Sequence, residues 1–405
     1  KIGAMVKEQY NIICLSNQLW DFPSWTNKRH VMMRLAQMGH KVIFVDPPIN
    51  AGRVFLKQIR KGNWSMKRLL SQTKVDTPSN ALVYTPINLL PKPSITSKLH
   101  INRIKQLAKS FDRSNKTILW VYHVQLPFLA DYIRELEFDF LIYDCVDNYS
   151  AFPQPSSVFA TNIDSNTLVT QEDYLASNAN IVFASAPGLV DKMKRFNDKV
   201  YFTPNVGDYE KFKDIKKLKE QLPEDIKQIK RPRIGFTGAL DDYKLDHDLM
   251  VKIATDHPKY SFVLIGPMAL KDQEAGKTLN KFKHLDNIHA LGSRDYKQIQ
   301  YYFAGFDAFI IPYVLNDYTV GGCFPVKFHD ALAGGLPVVV TDLPAYLPFS
   351  DVTYISKSYE EFSQNIKQAL EEDTPERIKA RQLVAKDNNW DGKVAKMLDL
   401  IKANI

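Results

Sequence analysis

The stretch FPVKFHDALAGGLPVVVTD, residues 324–342, predicts a helix that leads directly into a buried strand. Pro325 suits the first turn of a helix, and Gly334 and Gly335 suit its C-terminal end. The apolar, β-branched run that follows is typical of a strand buried on both faces of a parallel sheet. A helix paired with such a strand predicts an α/β fold.

Two charged residues lie at the start of this helix. Lys327 and Asp330 are three positions apart, so they share one helix face. Free backbone N–H groups and the helix dipole favour anions in the first turn. On spacing alone, the simpler interpretation is a surface ion pair that contributes about 0.2–0.5 kcal/mol. The alternative is a cation and a carboxylate that face one ligand.

Short apolar strands alternate with helix-length segments along the whole chain, which is typical of parallel α/β architecture. A charged, lysine-rich stretch separates two such sets. The predicted strands cover residues 11–16, 41–46, 117–122, 140–145, 181–185 and 200–204 in the first set, and 233–238, 260–266, 287–292, 307–313 and 336–342 in the second.

Two successive sets predict two doubly wound, Rossmann-like domains that face a cleft. We expect the first domain in residues 1–205, a linker in 206–232 and the second domain in 233–386. Residues 387–405 are expected to form a helix that packs back on the first domain. Its apolar side carries Trp390, Val394, Leu398 and Ile401.

The composition is that of an ordinary globular protein, with 405 residues, 45% hydrophobic and 24% charged. Its three cysteines are far apart, which indicates a reducing compartment and neither a disulfide scaffold nor a zinc site. No apolar run approaches the roughly 18 residues that cross a bilayer, and the residues after Met5 lack the layout of a signal peptide. We therefore expect a cytoplasmic protein.

The net charge of +8 favours an anionic partner. Residues 51–75 hold seven basic residues and no acidic one, interleaved with Trp64 and aliphatic side chains. Such a segment can lie on an anionic membrane surface, or it can pack on its own domain with a solvated basic face. We expect no nucleic-acid partner, because no recognised binding motif accompanies the charge.

The motifs GFTGAL, FVLIGP, ALGSRDY, AGFDAFIIPY and FPVKFHDALAGGLPVVVTDLP follow one another as in GT-B glycosyltransferases of group 1, the family 4-like type. The N-terminal motifs DFPSWTNKRHVMMRLAQMGHKVIFVDPP and LIYDCVDNYSAF resemble bacterial transferases of surface polysaccharides, such as the teichuronic-acid type and the glucuronosyltransferase of xanthan assembly. The resemblance spans nearly the whole chain and implies a GT-B fold. One departure concerns the acidic pair of the wider family: Asp330 occupies its second position, but Gly322 occupies the first.

The resemblance implies that the helix at Lys327 clamps a nucleotide sugar. The lysine would meet the diphosphate, and Asp330 would accept hydrogen bonds from the ribose hydroxyls. The nucleobase would lie near Ser293 and Arg294. Further candidates for donor binding are Gly238, Lys244, Tyr313, Thr319, Gly321 and Gly322.

The general base is expected in the first domain. Asp147 matches the catalytic-base position of the xanthan-type enzyme and could take the proton of an acceptor hydroxyl. His123 is a competing candidate, although a single histidine is more often structural. The predicted acceptor-binding residues are Trp20, Asp21, Trp25 and Asp144. No Asp-x-Asp motif suggests a metal bridge, so we expect a reaction without metal or other cofactor.

These residues together predict a glycosyltransferase. It would use a nucleoside-diphosphate sugar, UDP-linked in our interpretation, and a surface-glycan or polyprenyl-linked saccharide acceptor at the cytoplasmic membrane face. An epimerase or phosphorylase of the same fold fits less well. The alternative from another class is a catalytically silent subunit that binds a glycan or a partner transferase, and Gly322 is its best support.

Overall fold

The computed structural model describes residues 8–22, 25–54, 59–60, 62, 64–74, 77–88, 92–151, 163–267, 281 and 284–405. These residues form two large sheets that follow one another along the chain. Lys57 and Lys61 of the basic segment lie outside the described residues. None of the described helices is both long and apolar enough to cross a membrane.

The first sheet has eight strands in the order β10-β9-β8-β7-β1-β2-β5-β4. All neighbours are parallel except the antiparallel pair β4 and β5. A separate parallel pair joins β3 to β6. The bounds are β1 Asn11–Leu15, β2 Lys41–Val45, β3 Ile49–Asn50, β4 Thr73–Lys74, β5 Ala81–Tyr84, β6 Ile87–Asn88, β7 Thr117–Val121, β8 Phe140–Cys145, β9 Ile181–Ala184 and β10 Val200–Phe202.

The second sheet has six parallel strands in the order β13-β12-β11-β14-β15-β16. Its central strands are buried apolar runs, as expected where helices cover both faces. The bounds are β11 Arg233–Thr237, β12 Ser261–Ile265, β13 Ile288–Gly292, β14 Ala308–Ile311, β15 Val338–Thr341 and β16 Tyr354–Ser356.

Helices connect the strands in both halves, and several begin at a side chain that accepts a hydrogen bond from the first turn. Asp246, Ser358, Thr374 and Asn389 each cap a helix in this way. The bounds are α1 Asn27–Gln37, α2 Ala51–Val54, α3 Met66–Ser71, α4 Pro93–Ala108, α5 Leu129–Glu135, α6 Ser165–Asn178, α7 Pro187–Met193, α8 Tyr209–Phe212, α9 Glu224–Lys227, α10 His247–Asp256, α11 Ile299–Phe303, α12 Asp317–Gly322, α13 Lys327–Ala333, α14 Tyr359–Glu371, α15 Pro375–Asp387 and α16 Trp390–Asn404.

Each sheet has its own hydrophobic core, and we call the elements around the two cores the first and second domains. The final helix, α16, joins the first core through Trp390, Val394, Met397 and Ile401. The stretch between the domains packs against the second core, to which it contributes Phe212, Ile215 and Ile226.

All eleven predicted strands are confirmed, with ends that shift by at most two residues. Five strands were missed, namely β3, β4, β5, β6 and β16. Of these, β5 pairs with β2, and β16 forms an edge of the second sheet. All five have only two to four residues, so none presents a periodic apolar pattern long enough to recognise.

The strand order reverses at one place in each sheet. In the first sheet, β2 and β5 extend the sheet on one side of β1, and β8, β9 and β10 extend it on the far side of β7. In the second sheet, β12 and β13 lie on one side of β11, and β15 and β16 lie on the far side of β14. Loops at the carboxyl ends of such strand pairs leave a crevice in which α/β proteins bind ligands. The crevice of the first domain is bordered by residues 16–22, 25–26 and 122–128, and that of the second by residues 238–246 and 312–316.

Candidate functional site

The two crevices are brought together by close contacts between the domains. Gly188, in the first turn of α7, packs so tightly on Gly321 that a Cβ atom at position 188 would lie 2.2 Å from the Gly321 carbonyl oxygen. Asn205 links the domains as well, because its amide accepts a 2.6 Å hydrogen bond from Asn27 and donates one of 2.9 Å to the Phe324 carbonyl. The candidate residues therefore share one interdomain region.

Gly321 and Gly322 were predicted to line a phosphate pocket, and the structure places them against the first domain. A Cβ atom at Gly322 would lie 2.9 Å from Cβ of Asn148 and 3.1 Å from a methyl carbon of Leu189. This contact gives a physical reason for the departure from the acidic pair of the wider family, since a glutamate has no room at position 322.

Lys327 is the first residue of α13, and its side chain lies above two aromatic rings. Its Nζ atom is 4.3 Å from the ring centroid of Phe236 and 5.2 Å from that of Tyr313. Among the described residues it forms no salt bridge. Burial, with the nearby charge of Lys244 as a further cause, lowers the pKa of this ammonium to about 7.

Gly238 provides the space for this ammonium group. A Cβ atom at Gly238 would lie 2.0 Å from Nζ of Lys327, so a side chain there would displace the lysine. Gly238 has φ +143° and Gly266 has φ +153°, backbone conformations that favour glycine. A Cβ atom at Gly266 would lie 1.8 Å from the Gly238 carbonyl oxygen. The ends of β11 and β12 therefore require both glycines.

Lys244 lies on the loop that follows β11. Its carbonyl accepts a 2.9 Å hydrogen bond from the Val314 amide, which ties this loop to the one after β14. Its Nζ atom is 5.2 Å from the ring centroid of Tyr318. Burial lowers the pKa of this ammonium, but the acidic groups of Tyr313, Cys323 and Asp147 outweigh burial and raise it above its usual value.

Asp147, the predicted base, follows β8 and is half-buried. Its Oδ1 atom accepts a 3.0 Å hydrogen bond from the Tyr318 hydroxyl of the second domain. Its charge raises the pKa of Lys28 and of Lys244, so both ammonium groups lie in its field. The carboxylate is thus held where the two domains meet.

Asp330 is buried one turn after Lys327, and the two side chains form no salt bridge with each other. Its Oδ1 atom accepts a 2.8 Å hydrogen bond from the backbone N–H of Asp208. Burial raises the pKa of this carboxyl to about 8, against the lowering effect of the hydrogen bond. The surface ion pair suggested by the spacing is therefore absent.

An aromatic stack joins the domains beside Asp330. The ring of Trp25 lies 4.8 Å from that of Tyr296 at an angle of 15°, and the Tyr296 hydroxyl donates a 3.0 Å hydrogen bond to Asp208. Nζ of Lys211 also lies 4.5 Å from the centre of the Tyr296 ring. Trp25, predicted to bind the acceptor, thus meets the second domain in this structure.

Other predicted donor residues have structural contacts. Arg294 forms a 2.6 Å ion pair with Asp225 and a 2.7 Å hydrogen bond with Tyr302, whereas Ser293 is exposed. Thr319 forms a capping box with Asn316 at the start of α12.

Three of the predicted acceptor residues also have partners inside the first domain. Trp20 is buried in the core, and its backbone N–H donates a 2.7 Å hydrogen bond to Oδ1 of Asp46. Asp21 pairs with Arg68 and Lys74 of the basic segment. Asp144 is fully buried and accepts a 3.1 Å hydrogen bond from Trp120.

His123 follows β7 and is buried beside Lys28. Burial lowers its pKa to about 3, with Lys28 as a further cause, so the imidazole is neutral. The sequence analysis missed Lys28, Tyr318 and Tyr296. Lys28 and Tyr318 lie in helices that follow the strand ends of the two crevices, which is the one signal that could have indicated them.

Among the described residues, no cluster of three or more His, Cys, Asp or Glu side chains has the arrangement of a metal site. The charged groups around Asp147 include the ammonium groups of Lys28 and Lys244. This arrangement suits an anionic ligand in contact with lysine side chains.

The family model described as "Glycosyl transferases group 1" matches residues 231–372, which span all six strands of the second sheet. The second domain is a group 1 glycosyltransferase domain. TuaH of Bacillus subtilis (strain 168), named as a teichuronic acid biosynthesis glycosyltransferase, is 27% identical over 250 residues. This alignment covers 60% of the present chain and 59% of TuaH, so it spans about three fifths of that protein.

Solved structures with the same architecture extend over both domains. Sucrose-phosphate synthase from Thermosynechococcus elongatus aligns with a TM-score of 0.72 at 13% identity, covering 97% of this chain and 98% of its own. HepE of Anabaena, in complex with UDP, aligns with a TM-score of 0.65 at 16% identity, covering 97% of this chain and 100% of the HepE chain. The glycosyltransferase domain therefore forms half of a GT-B fold, which confirms the predicted fold class and the resemblance; the roles of individual residues stay predictions.

Proposed function

We propose that the protein is a glycosyltransferase that moves a sugar from a UDP-linked donor to a saccharide or polyprenyl-linked acceptor of surface-glycan biosynthesis. The observation that carries the proposal is the position of Lys327 and Lys244. Neither forms a salt bridge among the described residues, and the charges of both act on Cys323, which also lies in the field of Asp147. Two ammonium groups without carboxylate partners suit a diphosphate.

Residues of both domains take part in the proposed reaction. Lys327 and Lys244 bind the diphosphate and stabilise the charge that develops on it as the glycosidic bond breaks. Asp147 takes the proton of the acceptor hydroxyl while the oxygen attacks the anomeric carbon. The electron pair of the broken bond leaves with UDP. A single displacement of this kind inverts the anomeric configuration.

The choice of UDP rests on the structural neighbours. HepE of Anabaena has been solved with UDP and with UDP-glucose. Among the residues that the structure describes, Asp330 accepts the Asp208 amide at Oδ1 and no other hydrogen bond, which leaves Oδ2 for a ribose hydroxyl. The acceptor class follows the name of TuaH and the resemblance to surface-polysaccharide transferases.

We further propose that the first domain rests on the cytoplasmic face of the plasma membrane. Residues 51–111 hold twelve Lys and Arg residues against one acidic residue. On the inner side of this region Trp64 packs with Val54 and Ile87. On the outer side of α3, Met66 is 55% exposed and Leu70 is 81% exposed. Exposed apolar groups among basic ones suit an anionic bilayer.

A second helix continues this surface. Ile95 and Leu99, one turn apart on α4, are also exposed, and Arg103 of the same helix donates a hydrogen bond to the Ser71 carbonyl at the end of α3. We call the exposed residues Met66, Lys67, Leu70, Ile95, Lys98 and Leu99 the α3–α4 surface.

Thermal unfolding with UDP, GDP, ADP, CDP and TDP tests the donor site. A nucleotide at 100 times its dissociation constant raises the free energy of unfolding by about 2.7 kcal/mol. We expect UDP to stabilise the wild type, Lys327→Ala to lose this effect, and the exposed-lysine control Lys259→Ala to keep it. If no nucleotide stabilises the protein, the silent glycan- or partner-binding subunit becomes the better interpretation.

The ribose contact has its own test. We expect UDP to bind the wild type more tightly than 2′-deoxy-UDP and to lose this advantage in Asp330→Asn, whose side-chain oxygen can still accept the Asp208 amide. An undiminished advantage in Asp330→Asn would place the ribose elsewhere.

A further inference from the structure

Lys28 is a buried cation that the proposed reaction does not use. It lies in the first turn of α1 and is 7% exposed. Among the described residues it forms no hydrogen bond or salt bridge, and its Nζ atom lies 5.9 Å from the centroid of the Tyr122 ring. Burial of an ammonium group costs free energy unless a partner compensates it. The position therefore suits a partner that arrives with a substrate.

His123 provides the second observation. It is 3% exposed, and neither ring nitrogen has a hydrogen-bond partner among the described residues. Buried polar atoms normally have partners, so an orphaned imidazole beside a crevice indicates a missing ligand. His123 and Lys28 follow neighbouring strands, β7 and β1, at the point where the strand order of the first sheet reverses.

The helix start at Lys28 is open to an anion. The helix α1 has 11 residues, its first turn contains no acidic residue, and the Thr26 side chain makes no capping hydrogen bond. The first N–H groups of a helix favour negative charge when no side chain satisfies them. Helix start, ammonium and imidazole thus lie beyond the carboxyl ends of two neighbouring strands, and the imidazole lies in the field of the Lys28 charge.

Two carboxylates lie near Lys28, and each has one oxygen engaged by another residue, while Oδ1 of Asp144 has no hydrogen-bond partner among the described residues. Asp147 accepts the hydroxyl of Tyr318, and Asp144 accepts the indole N–H of Trp120. Their charges raise the pKa of Lys28, while burial, the largest effect, lowers it. Lys244 approaches from the second domain and adds positive charge to the same region.

We propose that Lys28, His123 and the first turn of α1 form a second anion site, which binds a carboxylate or phosphate group beside Asp147. The proposal rests on the proposed function, because the anion would belong either to the transferred sugar or to the acceptor. The site is separate from the donor diphosphate, whose lysines lie on the second domain. The hydrogen bonds of Asn205 to Asn27 and to the Phe324 carbonyl hold the two sites at a defined separation.

Calorimetric titrations test the site and separate the two sources. In the first arm, UDP-glucose and UDP-glucuronate are compared, since they differ by one carboxylate on the sugar. In the second arm, inorganic phosphate is titrated into the UDP-saturated protein, in which the donor site is filled, and into the free protein. Each arm uses the wild type, Lys28→Met, Lys28→Arg and the exposed-lysine control Lys259→Met.

An anion on the sugar predicts that UDP-glucuronate binds at least tenfold more tightly than UDP-glucose, and that Lys28→Met removes this difference while Lys28→Arg retains it. An anion on the acceptor predicts phosphate binding that Lys28→Met abolishes and Lys28→Arg preserves. In both cases the affinity of Lys28→Met for UDP should be within threefold of the wild-type affinity.

The proposal is overturned if the wild type neither prefers UDP-glucuronate over UDP-glucose nor binds inorganic phosphate. It is also overturned if the wild type shows one of these two effects and Lys28→Met retains it. A loss of UDP binding in Lys28→Met alone would assign the lysine to the donor diphosphate and also overturn it. If UDP binds no variant, the proposed function fails, and phosphate binding by the free protein still decides the role of Lys28.

Discussion

The hydroxyl of Tyr318 donates a 3.0 Å hydrogen bond to Oδ1 of Asp147, across the contact between the two domains. The residue expected to act as the base is therefore positioned by the domain expected to hold the donor. Closure of the domains and placement of the carboxylate are one event in this arrangement. A base that is oriented only in the closed form would meet an acceptor only when the donor side is in place.

Substitution of the acceptor, Asp147, should lower kcat more than substitution of the donor, Tyr318. We expect Asp147→Asn to lower kcat by about 10²–10⁴, the usual contribution of a general base, with unchanged UDP affinity. Tyr318→Phe removes one hydrogen bond to a charged group, which contributes about 1.5 kcal/mol, and should lower kcat about tenfold. Initial rates and UDP titrations check both variants. Full turnover by Asp147→Asn would exclude it as the base.

The lowered pKa of Lys327 predicts a pH-dependent donor affinity. With a pKa of about 7 in the free protein, the ammonium is largely deprotonated at pH 8.5, although the diphosphate binds its protonated form. Binding must then take up a proton, so affinity for a UDP-sugar should fall as the pH rises from 6.5 to 8.5, by up to about tenfold per unit above the pKa. UDP-glucose suits the measurement because its diphosphate does not titrate in this range.

Calorimetry in two buffers of different ionisation enthalpy measures the proton uptake directly. Lys327→Arg is the matched control, because a guanidinium stays charged across this range and should give a flat affinity profile. Equal affinity of the wild type at pH 6.5 and 8.5 would contradict the lowered pKa.

The contact between Gly188 and Gly321 predicts unequal effects of two alanine substitutions. A Cβ atom at Gly188 meets the Gly321 carbonyl oxygen at 2.2 Å, whereas one at Gly321 meets only the mobile end of Asn148 at 3.3 Å. We expect Gly188→Ala to lower the free energy of unfolding by about 1–3 kcal/mol through overpacking. Gly321→Ala should have a smaller effect. Both glycines lie in helices, so the difference between the variants in urea unfolding reports the clash rather than helix propensity.

The α3–α4 surface predicts binding to anionic vesicles. We expect the wild type to float with phosphatidylglycerol vesicles and not with phosphatidylcholine vesicles, since the attraction combines charge with insertion of apolar groups. Met66→Ser with Leu70→Ser should weaken flotation, as should Lys67→Glu with Lys98→Glu. Leu383→Ser, which replaces an exposed leucine of the second domain, is the control. Unchanged flotation of both double variants would show that this surface does not touch the membrane.

Much of the fold was predictable because its determinants are local. The run from Leu336 to Asp342 is apolar and β-branched, and it forms the strand that its composition indicates. The strands on either side of the charged stretch also follow from their apolar content. The stretch itself was harder to interpret, because Phe212, Ile215 and Ile226 are spaced widely among lysines and yet reach the second core.

The sequence predicted which positions belong to the candidate site, but it did not predict which of their side chains are in contact. The carboxyl ends of parallel strands indicated Lys244, Asp147 and His123, since topology places these ends on one edge of each sheet. Spacing gave the wrong pairing for Lys327, whose side chain lies over aromatic rings instead of meeting Asp330. Lys28 carried no sequence signal beyond its place after β1.

The sequence by itself therefore determined the two parallel sheets, the order of the elements and the edge on which charged residues gather, because each of these depends on residues close together in the chain. Only the tertiary structure decided which of the charged and polar residues contact one another. Tyr318 reaches Asp147 over 171 positions, and Gly322 is excluded from an acidic role by Asn148. Such contacts depend on how one domain packs on the other, and no local pattern records that packing.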